Sequence, residues 1–529
     1  MQMIGKIDKQ NSMFSSQSLF EKLIPKDSIY KNLHDYGSDF LKDDDFKDLY
    51  CDNNGRKSIP PSVLCGVMLL QAHDNVSDEE AVQRVIFDIR WKYALDLPSE
   101  YKGFARTNLV NFRVRLLTGN KMREAFDNLN ALAVKLGLVD PEGTQIIDST
   151  NIIGRAAVQD TYELLRTAIK KLVIKIRKRG KKKFTDIIDE HGLERYLNQN
   201  GKEDINWQDE SERKNLLKEL VNDGRNLLGE LGKRAAAEDE VISKAAKLLS
   251  DILEQDVTSQ TEELEKGIDP EIKQGVAKDR IISTNDTEMR HGRKSASKKF
   301  DGYKVHITEN RDQEWITNVD VTAGNVHDAE PSLDMVKEQE ETLGAKPRKV
   351  LADGAYGTAD NRSDFADAGV EIISKVTVYY DDKIHKEDFK IDLEKGFIEC
   401  PAGHVTEKYI NSKDNKGRDT KTFVFNKEQC AACKYKDRCT KSKTGRTVGI
   451  NFNEKYLQEA REKQKTIEFE TEYKTRAIIE RKISQLMSFG LRQARFIGTE
   501  KIKMQALFTA TVANIKRLAV IAKPRVSLC

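Results

Sequence analysis

Two short apolar runs, Ile146-Ile147 and Val350-Leu351-Ala352, each lead straight into an aspartate, and that pair constrains the fold more than any other feature of the chain. Runs this short, bounded by polar residues, read as buried strands. Asp148, in Thr144-Gln-Ile-Ile-Asp-Ser-Thr, and Asp353, in Val350-Leu-Ala-Asp-Gly-Ala-Tyr-Gly, then stand where the chain leaves a sheet and a side chain meets solvent. A third acid lies on a helical pattern: Tyr473, Arg476 and Glu480 follow at i, i+3 and i+7, which sets them on one helix face. Three convergent carboxylates suit two Mg²⁺ ions, with Mn²⁺ as a substitute. Such hard cations take oxygen ligands, and a pair about 3.5–4 Å apart clamps the attacking and leaving oxygens of a phosphodiester. Each acid alone has a plainer reading, a turn or N-cap for the aspartates and a helix pair with Arg476 for Glu480. Asp320 and Asp328 fall near neighbouring strands and are expected around the cluster rather than in it.

Periodicity divides the chain. The first 45 residues read as polar and irregular. Pro60-Pro61 then opens a helix through Leu64, Val67, Met68 and Leu70, and Ser77-Asp-Glu-Glu80 is a capping-box start for a second. A third is expected over 109–117 with Arg113 and Arg115 exposed, which makes residues 46–140 a compact helical domain. Residues 141–156 and 281–378 carry the strand patterns. Between them, at 157–280, Leu165, Ile169, Leu172 and Ile176 recur as a coiled-coil seam, with the Val241–Leu253 pattern as its partner; a hairpin of long charged helices and a plain bundle both fit. Residues 379–450 hold most cysteines, 451–498 the helix with Glu480, and 499–529 a helical tail.

Charge is nearly balanced, at 89 basic against 86 acidic residues, so local density matters more than the total. Nine of the fourteen residues from Lys170 to Lys183 are basic: Lys170, Lys171, Lys175, Arg177, Lys178, Arg179, Lys181, Lys182 and Lys183. That density could neutralise several phosphates of double-stranded DNA, or be a solvated helix end. A second basic stretch runs through Arg290-His-Gly-Arg-Lys, Lys298, Lys299 and Lys304. No run approaches 18 apolar residues and Met1-Gln-Met-Ile-Gly-Lys lacks a signal-peptide core, so a cytoplasmic protein without a membrane partner is expected.

Seven cysteines, an odd number in such a chain, do not suggest a disulfide framework. Cys400, Cys430, Cys433 and Cys439 fall within forty residues and offer a tetrahedral structural zinc site; His404 could replace one of them, and free thiols are the alternative.

In order along the chain, Leu19-Phe-Glu-Lys-Leu-Ile-Pro-Lys-Asp, the helical block at 60–117, Asp148-Ser-Thr, Phe300-Asp-Gly-Tyr-Lys-Val-His, Thr322-Ala-Gly-Asn-Val-His-Asp, Asp353-Gly-Ala-Tyr-Gly, Cys400-Pro-Ala-Gly-His and the Tyr473/Arg476/Glu480 helix resemble the DDE transposases of bacterial insertion sequences, in the branch with a cysteine-containing insert before the last carboxylate. The resemblance implies a mixed α+β chain with an RNase H-like catalytic domain, in which Asp148 ends the first strand and Asp353 the fourth, side by side. It implies Asp148, Asp353 and Glu480 as metal ligands, and Tyr473 and Arg476 as phosphate contacts. It also implies that the helical block at 46–140 binds the terminal repeats or supports assembly, where a domain that only packs against the core is the alternative, and that a homodimer on DNA cuts terminal inverted repeats and joins them to target DNA. Where relatives carry a Lys seven residues after the Glu this chain has Met487, and Arg481, Lys482 and Arg492 are the candidates to replace it. A nuclease or resolvase without strand transfer, or a non-catalytic zinc-containing DNA-binding protein, are the rival functions.

Overall fold

The computed structural model describes residues 4–5, 15–51, 57–179, 182–198, 204–233, 239–258, 269–295, 297–414 and 416–522. Its centre is a mixed six-stranded sheet. Strand β1 (Gln145–Ile153) pairs antiparallel along its whole length with β3 (Lys299–Asn310) and, over its first three residues, parallel with β5 (Lys349–Ala352). Strand β2 (Arg290–Arg293) joins the start of β3, β4 (Trp315–Ala323) runs beside the rest of it, and β6 (Glu371–Ile373) closes the far edge against β5. The period-two stretch from Tyr303 to Ile307 buries Tyr303, Val305 and Ile307 on one face, as alternation requires.

That face is covered by helices from both ends of the chain. The expected irregular N-terminus is instead helical: Ser28 caps Ile29–Phe40, whose Ile29, Leu33 and Phe40 are buried, because an apolar stripe at helical spacing runs through otherwise polar residues. Pro61–Asp74, Asp78–Phe87 and Thr107–Thr118 follow, with Ser77 accepting from the Glu80 N–H. Arg113 is not exposed as expected; it is buried in an ion pair with Asp78, while Arg115 stays outside. The expected C-terminal helix is present, though packed rather than free. Thr499–Ile521 is buried along most of its length, and its Asn514 exchanges two hydrogen bonds with the Ile316 backbone (2.9 and 2.8 Å), as a helix apolar on nearly every side must find cover. The opposite face of the sheet packs Ile147, Val350 and Ala352 under Met335, Val336, Tyr356 and Phe365.

Two regions have cores of their own. Residues 161–256 form a bundle rather than a two-helix hairpin: Thr161–Arg179 packs with Glu240–Asp256, Glu210–Lys233 and two shorter helices around Leu165, Ile169, Leu172, Ile176, Leu220 and Ile252. The seam therefore closes inside one chain. After β6, residues 390–450 make two three-stranded sheets around Phe389, Ile398, Phe423, Phe425 and Val448. No helix among the described residues is long and apolar enough to cross a membrane.

Candidate active site

Asp148 and Asp353 meet because of strand register. Ile147 pairs with Ala352, so the two aspartates occupy the next rung of adjacent parallel strands, where neighbouring chains lie about 4.8 Å apart. Asp148 does not end its strand as expected; it lies inside β1, whose pairing with β3 continues to Ile153 after β5 has stopped. One edge of β1 is therefore open at the acid. Asp353 turns the chain away: its side chain accepts from the Ala355 N–H (2.9 Å) and caps the Gly354–Tyr356 turn.

Glu480 arrives on a separate element. The expected continuous helix is interrupted, Ile467–Lys474 passing through the 3-10 turn Thr475–Ala477 into Ile478–Leu486. Arg476 in that turn is the link, donating to Asp148 at 3.3 Å and to Glu480 at 3.0 Å. Tyr473 stacks on Phe469, and the Lys375 ammonium lies 4.8 Å from its ring centroid. Glu480 itself is largely exposed. As placed, the three carboxylates do not all come within 4.8 Å of one another; among the described residues the one group of potential metal ligands that does is Glu190, His191 and Glu230 in the helical bundle.

Electrostatics nevertheless mark the aspartates as a shared anionic site. Burial pushes the Asp148 carboxyl up to about 6, the charges of Asp353 and Asp328 add to this, and the Ser149 N–H and Arg476 oppose it. Such a set of hard oxygen donors fits Mg²⁺ or Mn²⁺ and not a soft metal. Asp328, which also accepts from Lys304 (2.7 Å), thus faces the cluster, whereas Asp320 is held by Lys503 (2.7 Å). Tyr356, buried and close enough to feel Asp328, Asp148 and Asp353, was missed by sequence reasoning although it lies in the Asp353-Gly-Ala-Tyr motif.

Other expected contacts divide sharply. Lys482 is 5% exposed and paired with Glu309 at 3.5 Å inside the protein, so it is turned away from DNA. Arg492 is exposed beside the end of β1, its carbonyl accepting from the Ile153 N–H, and Arg481 reaches Glu314. In the basic cluster, Lys171 is tied inward to the Thr284 carbonyl and to Asn285 (2.9 Å), Arg177 approaches Glu194 (3.8 Å) and Arg179 pairs with Asp239 (3.2 Å). Lys175 and Lys178 are exposed, while Lys170 is half-buried. Lys181 and the side chains of Lys182 and Lys183 lie outside the described residues, as does Cys529.

The four clustered cysteines line one small cavity with His404. Backbone N–H groups of Tyr435 and Arg446 point at the sulfurs of Cys433 (3.4 Å) and Cys430 (3.5 Å). Burial, joined by the three neighbouring sulfurs, pushes the Cys439 thiol up. Four sulfurs around one cavity, two of them facing N–H groups, are the donor type that a thiolate-bound zinc ion takes, although as placed no three of them lie within 4.8 Å of one another.

The Transposase DDE domain model matches residues 399–519, a stretch holding the cysteines, Tyr473, Arg476 and Glu480, and the Transposase domain (DUF772) model matches residues 18–115 in the N-terminal helices. No curated protein and no solved structure matches the chain. With both transposase domains in one chain, the protein is a DDE transposase of an insertion sequence.

Proposed function

We propose that the chain binds the terminal inverted repeats of its element as a homodimer, cleaves the ends and joins them to target DNA on an RNase H-like core. The observation that carries the reading is the next-rung placement of Asp148 and Asp353 with Arg476 forking from Asp148 to Glu480. Asp148, Asp353 and Glu480 would hold two Mg²⁺ ions, which supply polarisation of a water or 3′-hydroxyl nucleophile and stabilisation of the leaving oxygen. Arg476 then turns its planar fork of donors to the phosphate flanking the scissile bond, with Tyr473 packed behind it. Asp328 shapes the field around the two aspartates without leaving Lys304. Cys400, Cys430, Cys433 and Cys439 would hold a structural zinc ion, which would stabilise the fold and take no part in the chemistry. The test is a strand-transfer assay with a duplex ending in the element's terminal sequence and a supercoiled target plasmid in Mg²⁺. Joined products support transposition, and cleavage with no joining under any divalent ion reduces the protein to a nuclease.

A further inference from the structure

The β2–β3 hairpin has no assigned role and an unusual charge. From Arg290 to Phe300 the sequence contains no acid, and Arg293, Lys294, Lys298 and Lys299 are all exposed. No hydrogen bond or ion pair engages these four side chains among the described residues, in contrast to most cations of the surrounding surface. Arg290 is committed to the carbonyls of Thr287 (2.6 Å) and Met289 (2.9 Å), His291 to Asp301 (2.5 Å), and Lys304 to Asp328. The hairpin is a fixed ribbon, since Arg293 faces Lys299 in register, the Lys294 N–H donates to the Lys298 carbonyl (2.8 Å), and the Lys298 N–H donates to Ser295 Oγ (3.1 Å). Its base is sealed. A Cβ at Gly292 would collide with the Phe300 ring and stand 2.6 Å from the Gly324 carbonyl, so the strand lies flush on the sheet there.

We propose that this ribbon grips the duplex flanking the scissile phosphate, Arg293, Lys294, Lys298 and Lys299 contacting the DNA backbone; the proposal rests on the transposase reading above. The position follows from register. Asp148 is opposite Ile307 and the chain runs on through Gly302, opposite Ile153, to Lys299, so eight residues of strand separate the acid from the cations. At about 3.3 Å per residue that is roughly 25 Å. Duplex lying along the strand would meet the ribbon about seven to eight base pairs from the cut, at roughly 3.4 Å per pair. Arg492, exposed at the end of β1, lies between the two. A two-stranded ribbon also matches the width of the major groove. The competing role for lysines on an edge strand is to block pairing with other sheets, which needs no DNA.

The experiment measures binding of the full chain to a 40-base-pair duplex carrying the element's end, by fluorescence anisotropy across a salt series, with ethylation interference on the same duplex. Arg293→Gln/Lys294→Gln/Lys298→Gln/Lys299→Gln should flatten the log–log salt slope by on the order of 2–4, at about 0.9 per phosphate contact. The double variant Lys298→Gln/Lys299→Gln should flatten it by about half as much, and Lys298→Arg/Lys299→Arg should keep the parental slope. Interference at phosphates about seven to eight pairs from the cut should vanish in the quadruple variant. If the parent binds and cuts but the quadruple variant keeps its slope and interference pattern, the ribbon serves only as edge protection. If the parent binds neither this duplex nor a random one, the transposase reading fails with it.

Discussion

Lys482 and Glu309 form an ion pair 3.5 Å long that is sealed within the protein, one partner on the helix carrying Glu480 and the other on β3. The contact ties the helix of the third carboxylate to the strand that pairs with β1. Neither carboxylate oxygen of Glu309 has a close hydrogen-bond partner, so the pair rests mainly on charge attraction, to which Arg517 adds. Burial pushes the Glu309 carboxyl up to about 7 and lowers the Lys482 ammonium.

Lys482→Met should therefore carry a penalty that depends on pH. The folded protein holds the Glu309 proton more tightly than the unfolded chain, so the parent loses stability as pH rises from about 4.5 to about 7 and then levels. Removing the ammonium raises that carboxyl further. The variant should be close to parental at pH 5 and destabilised at pH 8 by up to about 3–5 kcal/mol, the range for breaking a buried pair. Denaturation followed at the buried Trp91 and Trp315 checks this at both pH values; equal penalties contradict it. The salt slope of DNA binding should not move, because Lys482 does not reach the surface.

The basic cluster at 170–183 should split by residue. Lys175→Gln and Lys178→Gln should each flatten the salt slope by about 0.9 if the exposed face of that helix meets phosphate. Lys171→Met should leave the slope alone and cost about 1–3 kcal/mol of stability, because it strips two acceptors of their donor. A flattened slope in Lys171→Met would contradict the inward geometry.

What the sequence could and could not reveal follows from the range of each signal. The strand runs ending in Asp148 and Asp353, the helix with Arg476 and Glu480, and the apolar positions of 165–176 were legible because period and turn chemistry are local. Partners distant in sequence were not. Nothing near Arg113 announces Asp78 and nothing near Lys482 announces Glu309, so Arg113 reads as surface and Lys482 as a DNA contact, the usual settings of an isolated cation. The helix at Thr499–Ile521 is legible but its burial is not, since that depends on β4 and on the N-terminal helices, through Asn514, Asn130 and Asn32. The 3-10 turn at Arg476 had no breaker residue to mark it; no Gly or Pro stands between Ile467 and Leu486.

Purified protein should carry about one equivalent of zinc, and Cys433→Ser should lose it. The small sheets around Phe423 and Phe425 then lose their anchor, so residues 380–450 should become protease-sensitive and cleavage should fall without vanishing. Elemental analysis beside limited proteolysis decides this. A well-folded, active preparation with far less than one zinc would leave Cys400, Cys430, Cys433 and Cys439 as ordinary thiols.

In the proposed function Asp148, Asp353 and Glu480 form one metal-dependent cutting site. The most direct measurement is the rate of cleavage of a duplex carrying the element's end, in Mg²⁺ and in Mn²⁺, by the parent and by Asp148→Ala, Asp353→Ala and Glu480→Ala, with binding to the same duplex measured in parallel. The prediction is that each variant binds with near-parental affinity and cuts at least a hundredfold more slowly, on the order of the loss from removing one preorganised charge-stabilising group. Cleavage by Asp353→Ala at the parental rate in Mg²⁺ would contradict the account.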